Sequence, residues 1–386
     1  MPQIRSKTRL GVGAFLFFTA LSAAAYDFSA VDRILQDSLA AFGDSVAVVI
    51  HKDGKVIYHN SKGNLDTTAK IGIASSSKWI TGAVILRLAE KQVLGLDDSL
   101  GARLPAFTAN GKGHITIRQC FSMTSGLYGG KNYELNPVMT LQRSVDSIAA
   151  YTPLAFTPGA RFAYSGSGMQ SVARFAEIAT GKPWNQLAKE EILDPCGMAN
   201  TTYDDFGPLN PAVAGGIRTT AAEYMRFLGM VNGGGRSGGV QVLSQASLAE
   251  MFHDHTVGIP ILYSPWPGSP DTYPDGKHPG YGFGCWAMST NPTSGEEDEI
   301  ASPGAFGSFP WADRCRNLYG MVLVHNPGEG ARSHRVALQI IALVREQVGG
   351  CSTVGIGSRW IRAGSQENRF PRPRVDGRVW DQRGDL

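Results

Sequence analysis

The sequence predicts a mixed α/β protein of the α+β type, an antiparallel sheet flanked by helices with an all-helical lobe inserted into it. Three observations point there. Strand-like segments fall towards both ends of the chain, the stretch between them reads as helical, and glycine is abundant at 47 of 386 residues, as many tight turns around a sheet require. At this length the chain forms one large domain or two closely joined ones. Hydrophobic content of 42% and charged content of 18% fit a globular protein and exclude a disordered one. A net charge of +3 gives no reason to expect a nucleic-acid partner.

Taken in order, residues 1–25 read as a signal peptide. Arg5, Lys7 and Arg9 form a basic start, Leu10 to Leu21 is an apolar run too short for a comfortable membrane span, and Ala23-Ala24-Ala25 gives a small-residue cleavage pattern before Tyr26. The expectation is export to the periplasm or medium, with no integral span after cleavage; an uncleaved anchor is the alternative. Asp27 to Ala41 has helical spacing. Ser45 to Ile50 and Val56 to His59 are strand-like and joined through Asp53-Gly54, a hairpin signal. Ser75 to Gln92 reads as a long amphipathic helix ending near Gly95. Residues 100 to 200 are mostly helical, with loops at Thr124 to Pro137 and Thr157 to Ser165; Ser167 to Ala179 is a helix stopped by Thr180-Gly181-Lys182-Pro183. Thr220 to Val231 is helical. Residues 258 to 280, rich in Pro, Gly and aromatics, make a long loop of the kind that forms lids or binding edges. Tyr281 to Met288, Ala305 to Asp313 and Leu318 to His325 look like strands, and Ser333 to Val348 is a closing helix. The expected division is a main domain over 26–350, with a sheet lobe from 26–80 and 205–350, a mainly helical lobe over 81–204, and a disordered basic tail over 351–386.

Five cysteines follow the leader: Cys120, Cys196, Cys285, Cys315 and Cys351. Their spacing matches no zinc or redox motif, and the odd count leaves at least one unpaired. Cys285 and Cys315, on two strands expected to be neighbours, are the best candidate pair; five small buried hydrophobes are the alternative. Of the eight histidines none forms a metal pair such as H-E-x-x-H, and His253 and His255 are taken as surface residues. No metal or cofactor is implied. Trp266, Tyr273 and Trp311 are candidates for an apolar acyl or alcohol pocket.

Ser75-Ser76-Ser77-Lys78 is an S-x-x-K. On a helix, positions i and i+3 share a face, so the Ser75 hydroxyl and the Lys78 amine come within reach. Ser75 also falls at a helix N-terminus, where free N–H groups favour developing negative charge. A lysine partly removed from water has a lowered pKa and can take a proton, the logic of an activated nucleophile. Alone the motif is weak, since about one S-x-x-K per chain of this size is expected by chance. Context decides.

The stretch resembles the first motif of class C β-lactamases, D-alanyl-D-alanine peptidases and the esterases related to them. Further segments resemble that superfamily in the same order: Gln92 to Asp98 its G-x-L-x-L-D-D turn, Met123-Thr124-Ser125-Gly126-Leu127 its H-T-S-G-L loop with Met for His, Phe156 to Ser165 its F-x-P-G-x-x-F-x-Y-S, and Gly215 to Thr220 its G-G-x-x-S-T. The resemblance spans residues 30 to 348 and implies a β-lactamase/transpeptidase-like fold with Ser75, Lys78 and Tyr164 as catalytic residues. Tyr164 would relay a proton, its pKa lowered by Lys78. Ser302-Pro303-Gly304 stands where the family's third motif does, so the resemblance places the Ala305 N–H with that of Ser75 in an oxyanion hole, and Ser302 and Gly304 at the substrate.

Two departures matter. Tyr164-Ser165-Gly166 lacks the amide of the family's Tyr-x-Asn, which would hold a substrate's amide side chain. Ser302 replaces the basic residue or His that helps bind a substrate carboxylate, and Arg161 or Arg218 could supply that charge instead. The expected substrate is therefore a small-molecule ester or amide, first a small carboxylic ester, with β-lactams and D-amino-acid peptides as alternatives. A non-catalytic envelope or binding protein of the same fold is the rival of another class.

Overall fold

Asp53 and Gly54 take left-handed φ values of 53° and 75°, the geometry of a tight two-residue turn, and so fold Val46–Lys52 back on Lys55–Lys62 as an antiparallel hairpin. The computed structural model describes residues 26–266, 278–290 and 297–351. Within them this hairpin joins a seven-stranded antiparallel sheet, whose order from the far edge is Gly280–Tyr281, Trp286–Thr290, Glu297–Ala301, Gly307–Asp313, Leu318–His325, Val46–Lys52 and Lys55–Lys62. The N-terminal hairpin therefore pairs with the last strand of the chain, Val48 opposite Val322, as the position of strands near both ends predicts.

Every residue of Gly307–Asp313, and all but the last of Leu318–His325, is buried, because helices cover the sheet. Ala221–Asn232 packs on Leu318–His325, and Gly330–Val348 packs on Gly307–Asp313 and against helix Ser29–Asp37. Thr220 caps the first of these, its side chain accepting from the Glu223 N–H. The intervening chain holds the helices Pro105–Ala109, Ile117–Phe121, Leu141–Tyr151 and Ser167–Thr180. Helix Ser77–Glu90 departs from the amphipathic expectation: nearly every residue is buried, since other helices and loops close around it.

The expected Cys285–Cys315 bridge is not formed; the disulfide is Cys315–Cys351. The sequence reading missed strand Glu297–Ala301, which lies between the strands next to which the two cysteines stand. Cys285 is buried beside Met251 at the start of its strand, whereas Cys315 sits in the turn joining Gly307–Asp313 to Leu318–His325. Cys351 follows the last helix, so the first residue of the expected tail is tied to the sheet. The expected leader, the rest of the tail, and Tyr273 lie outside the described residues, and no helix among the described residues is long and apolar enough to cross a membrane.

Candidate active site

Chain geometry at Ser75 is set by a strained step. Ala74 is held at φ 45°, in the left-handed region that an L side chain rarely adopts, and turns the chain from Ile71–Gly72 into the helix. The neighbouring serines hold that turn. Ser77 Oγ donates to the Ala74 carbonyl at 2.6 Å and accepts from the Ile217 N–H at 3.0 Å, and the Ser76 carbonyl accepts from the Tyr224 hydroxyl at 2.8 Å. Both serines are buried, which leaves Ser75 as the serine of the triplet that faces the cleft.

Lys78 lies one turn on. Its Nζ donates to Ser75 Oγ at 3.0 Å and to the Ala214 carbonyl at 2.7 Å, and stands 4.7 Å from the centre of the Tyr164 ring. The residue is 4% exposed, and burial pulls its pKa from 10.5 down to about 7, a nearby carboxylate, Glu134, opposing the fall. A lysine in this state is part neutral at neutral pH and can accept a proton.

Tyr164 completes the cluster. It stacks on Trp286 at 5.4 Å and meets Tyr281 edge-on, and its hydroxyl hydrogen-bonds Ser75. The expectation of a lowered tyrosine pKa fails: burial raises it, and the bond to Ser75 offsets this only in part. Lys78 does not reverse the effect because it is itself stripped of water and easily discharged. Tyr164 is thus a neutral phenol at neutral pH, able to pass a proton on.

These residues line a cleft of about 790 Å³. From the third-motif segment, Ala305 lines it with Ser75. Ser302 and Gly304, the expected substrate contacts, stand behind the wall. Ser302 is buried and its hydroxyl donates to the Ser75 carbonyl at 3.3 Å. Gly304 packs so tightly on the strained turn that an added Cβ would lie 2.1 Å from the Ile73 carbonyl oxygen. The Gly304 carbonyl accepts from His334 Nε2 at 2.9 Å; burial lowers the His334 pKa to about 4, so the ring is neutral and its tautomer is set by this bond. These contacts join the Ser75 turn to the Ala305 loop. Gly304→Ala is expected to push the two backbones apart and lower kcat/KM for an ester about 100-fold, since a shift of about 1 Å in a reacting group has that cost. Steady-state kinetics on the folded variant check this, and an unchanged rate would show that the junction does not hold the reacting geometry.

Of the aromatics expected at a pocket, Trp266 lines the cleft and Trp311 is instead buried in the sheet against Gly320. Arg161 and Arg218 are exposed and do not line the cleft; Arg218 lies 3.7 Å from Asp205. His253 is exposed as expected, but His255 is half-buried against Glu250 and burial lowers its pKa to about 3. Among the lining residues missed in the sequence are Glu134, Arg335 and Trp286. Glu134 sits in a loop without periodicity, and Arg335 and Trp286 lie far along the chain in elements read as ordinary packing. Among the described residues the one group with metal-ligand spacing is Asp298 with Cys315 and Cys351, and those sulfurs are joined in the disulfide.

A buried lysine against a serine in a cleft, on an antiparallel sheet closed by the two ends of the chain, defines a protein of the β-lactamase/penicillin-binding fold. The chain belongs to the Beta-lactamase family, whose model matches residues 31–344, a family of hydrolases with this fold. A Bacteroides dorei DSM 17855 protein assigned provisionally to the beta-lactamases is similar at 29% identity, with a TM-score of 0.73 over 84% of this chain and 99% of that one. The fold is shared with EstCE1, described as a hydrolase with promiscuous acyltransferase activity, at 21% identity and a TM-score of 0.66 over 81% and 97% of the two chains. Penicillin-binding protein 4* of Bacillus subtilis (strain 168) is 31% identical over 40% of this chain and 37% of its own length. The chain thus matches well under half the length of such curated relatives.

Proposed function

We propose that this protein is an exported serine hydrolase that forms a covalent acyl-enzyme on Ser75 and acts first on small carboxylic esters. The observation that carries the reading is the 3.0 Å contact between Ser75 Oγ and the buried Lys78 amine. Neutral Lys78 takes the Ser75 proton as Oγ bonds to the substrate carbonyl carbon. The carbonyl electrons move onto oxygen, held by the Ser75 and Ala305 N–H groups. The carbon–oxygen bond to the leaving group then breaks as that group takes the proton from Lys78 through the Tyr164 hydroxyl. Water adds to the acyl carbon by the reverse route, the acid departs, and the proton returns to Ser75. Aromatic walls at Tyr128, Tyr263, Trp266 and Trp286 suit an apolar acyl or alcohol group. Export agrees with a disulfide, which oxidising compartments permit, and with the leader-like residues 1–25. A serine-directed fluorophosphonate is expected to modify Ser75 alone, mapped by peptide mass spectrometry. A folded protein that takes no adduct there would sink the reading in favour of a non-catalytic binding protein.

One observation favours a second substrate class. Arg335, on the last helix, lines the same cleft and is exposed to it, so a cation stands near where Ser302 offers none. β-Lactams and D-amino-acid peptides carry a carboxylate that such a guanidinium recognises. If Arg335 serves that purpose, a chromogenic cephalosporin is cleaved and Arg335→Ala raises its KM about tenfold while a nitrophenyl acetate is little affected. A cephalosporin untouched by wild type that cleaves the acetate restricts the enzyme to esters.

A further inference from the structure

Gly166 stands where the family resemblance puts an amide that holds the substrate's amide side chain. The place is not empty. A Cβ added at Gly166 would come 3.0 Å from Glu134 Oε1 and 3.2 Å from the Ala214 Cβ, so the carboxyl group of Glu134 lies over the glycine, in the direction in which a side chain at 166 would start. Gly166 has φ −86°, ordinary for any residue, so its backbone does not call for glycine; the space taken by Glu134 does. Both residues line the cleft beside Ser75, Lys78 and Tyr164.

Glu134 is 7% exposed; burial raises its pKa above the ordinary carboxylate value, opposed by the nearby Lys78 charge and a bond to the Ser167 side chain, and its Oε2 is buried with no hydrogen-bond partner. Nearby Lys78 does not satisfy it by direct contact, because its amine is committed to Ser75 and Ala214. A buried carboxylate oxygen without a donor is costly, and on a residue that lines a substrate cleft it favours a ligand that brings a donor. An amide offers both a donor and an acceptor, whereas a carboxylate only accepts and carries charge. The exchange of an amide for Gly166 plus Glu134 therefore changes what the cleft selects, from a group that accepts and donates to one that donates and is cationic.

We infer that Glu134 is a specificity-determining residue that receives a protonated primary amine next to the reacting carbonyl, so that the preferred substrates are α-amino esters or amides. This rests on the acyl-serine reading above and narrows its substrate class. Binding of the amine turns the Glu134 carboxyl group so that Oε2 gains a donor, and Gly166 adds no side chain beside it. Uncharged acyl groups of the same shape leave that oxygen unpartnered and bind less well.

The test compares L- and D-phenylalanine ethyl ester with ethyl 3-phenylpropanoate, which lacks only the amine. Binding is measured calorimetrically at pH 7, where an α-amino group with a pKa near 8 is mostly charged, to Ser75→Ala protein, so that it does not depend on turnover. Turnover is followed separately on the protein with Ser75 intact by release of the acid. At least one enantiomer is expected to bind about tenfold or more tighter than the des-amino ester, the scale of one charge-assisted hydrogen bond. Glu134→Gln, which keeps shape and loses charge, is expected to bring that ratio to within about threefold, as is Gly166→Ala, which displaces the carboxylate and leaves it charged. Equal binding of all three esters, binding of none of them, or a preference that survives both substitutions overturns the inference. A role confined to tuning Lys78 would alter turnover of all esters alike and leave the binding ratio unmoved, which also overturns it. Preserved amine-selective binding with no turnover by the intact protein would instead count against the acyl-serine reading alone.

Discussion

Ser75→Ala is expected to lower kcat/KM for a nitrophenyl ester by about 10⁴- to 10⁶-fold, with the fold intact. The size follows from what is removed. Without Oγ no acyl-enzyme forms, and water must attack unaided in a site that still binds and polarises the carbonyl. Ser76 and Ser77 cannot substitute. Their side chains are buried, and Ser77 Oγ is bound to Ala74 and Ile217 in the turn that exposes Ser75. Substitution of Ser77 would act differently, by loosening that turn. Single-turnover kinetics with trapping of the acyl-enzyme make the comparison: a Ser75→Ala protein that retains even a tenth of wild-type activity would place the nucleophile elsewhere.

Lys78→Met is expected to do two opposite things. Activity falls about 10³- to 10⁴-fold, the upper range for loss of a positioned base acting on the nucleophile. In the wild type, kcat/KM rises with pH around a midpoint near 7 as the buried amine loses its proton, and this rise disappears in the variant. Stability moves the other way. The folded value of about 7 lies below the ordinary 10.5, so between these limits the unfolded chain binds more protons and wild-type stability increases with pH. Below about pH 7 the penalty is complete, on the order of 5 kcal/mol for a displacement of that size. Methionine fills a similar volume without it, but forfeits the bonds to Ser75 and the Ala214 carbonyl, worth about 1–3 kcal/mol together. The variant is thus expected to be about 2 kcal/mol more stable than wild type at pH 7, with the advantage shrinking towards pH 10.5. Urea unfolding at pH 6, 8 and 10 measures it. An advantage that does not change with pH would mean that Lys78 is protonated in the folded protein throughout, and so is no base.

Such a cost at the centre of the molecule is what the proposed proton transfer would require. The lysine is unfavourable to folding in the same measure that it is ready to accept a proton, since both follow from the removal of its water. The positive φ at Ala74 belongs to the same class: strain placed one residue before Ser75, the proposed nucleophile, and held there by hydrogen bonds from its neighbours.

What could be read from the sequence was local or ordered along the chain. S-x-x-K needs only the helical repeat to bring Ser75 and Lys78 together, Asp53-Gly54 needs only its own turn geometry, and the ordered motifs up to Tyr164 carry the family with them. The hairpin at the start and the long apolar strand near the end were also enough to indicate a sheet closed by both ends. Tertiary structure decided what depends on distant neighbours. Strand Glu297–Ala301 is short and bears three acidic residues, so no alternation revealed it, and its place in the sheet kept Cys285 from Cys315. Burial, which no local pattern states, raised the Tyr164 pKa where a neighbouring charge alone predicts a fall. Glu134 and Arg335 reach the cleft from a loop and from the last helix, separated from Ser75 by 59 and 260 positions of chain. The sequence by itself determined that Ser75 and Lys78 come within bonding range, because that range along a helix is fixed by its repeat. Only the packed chain decided their protonation and what they can recognise, because solvent exclusion and charge act through space.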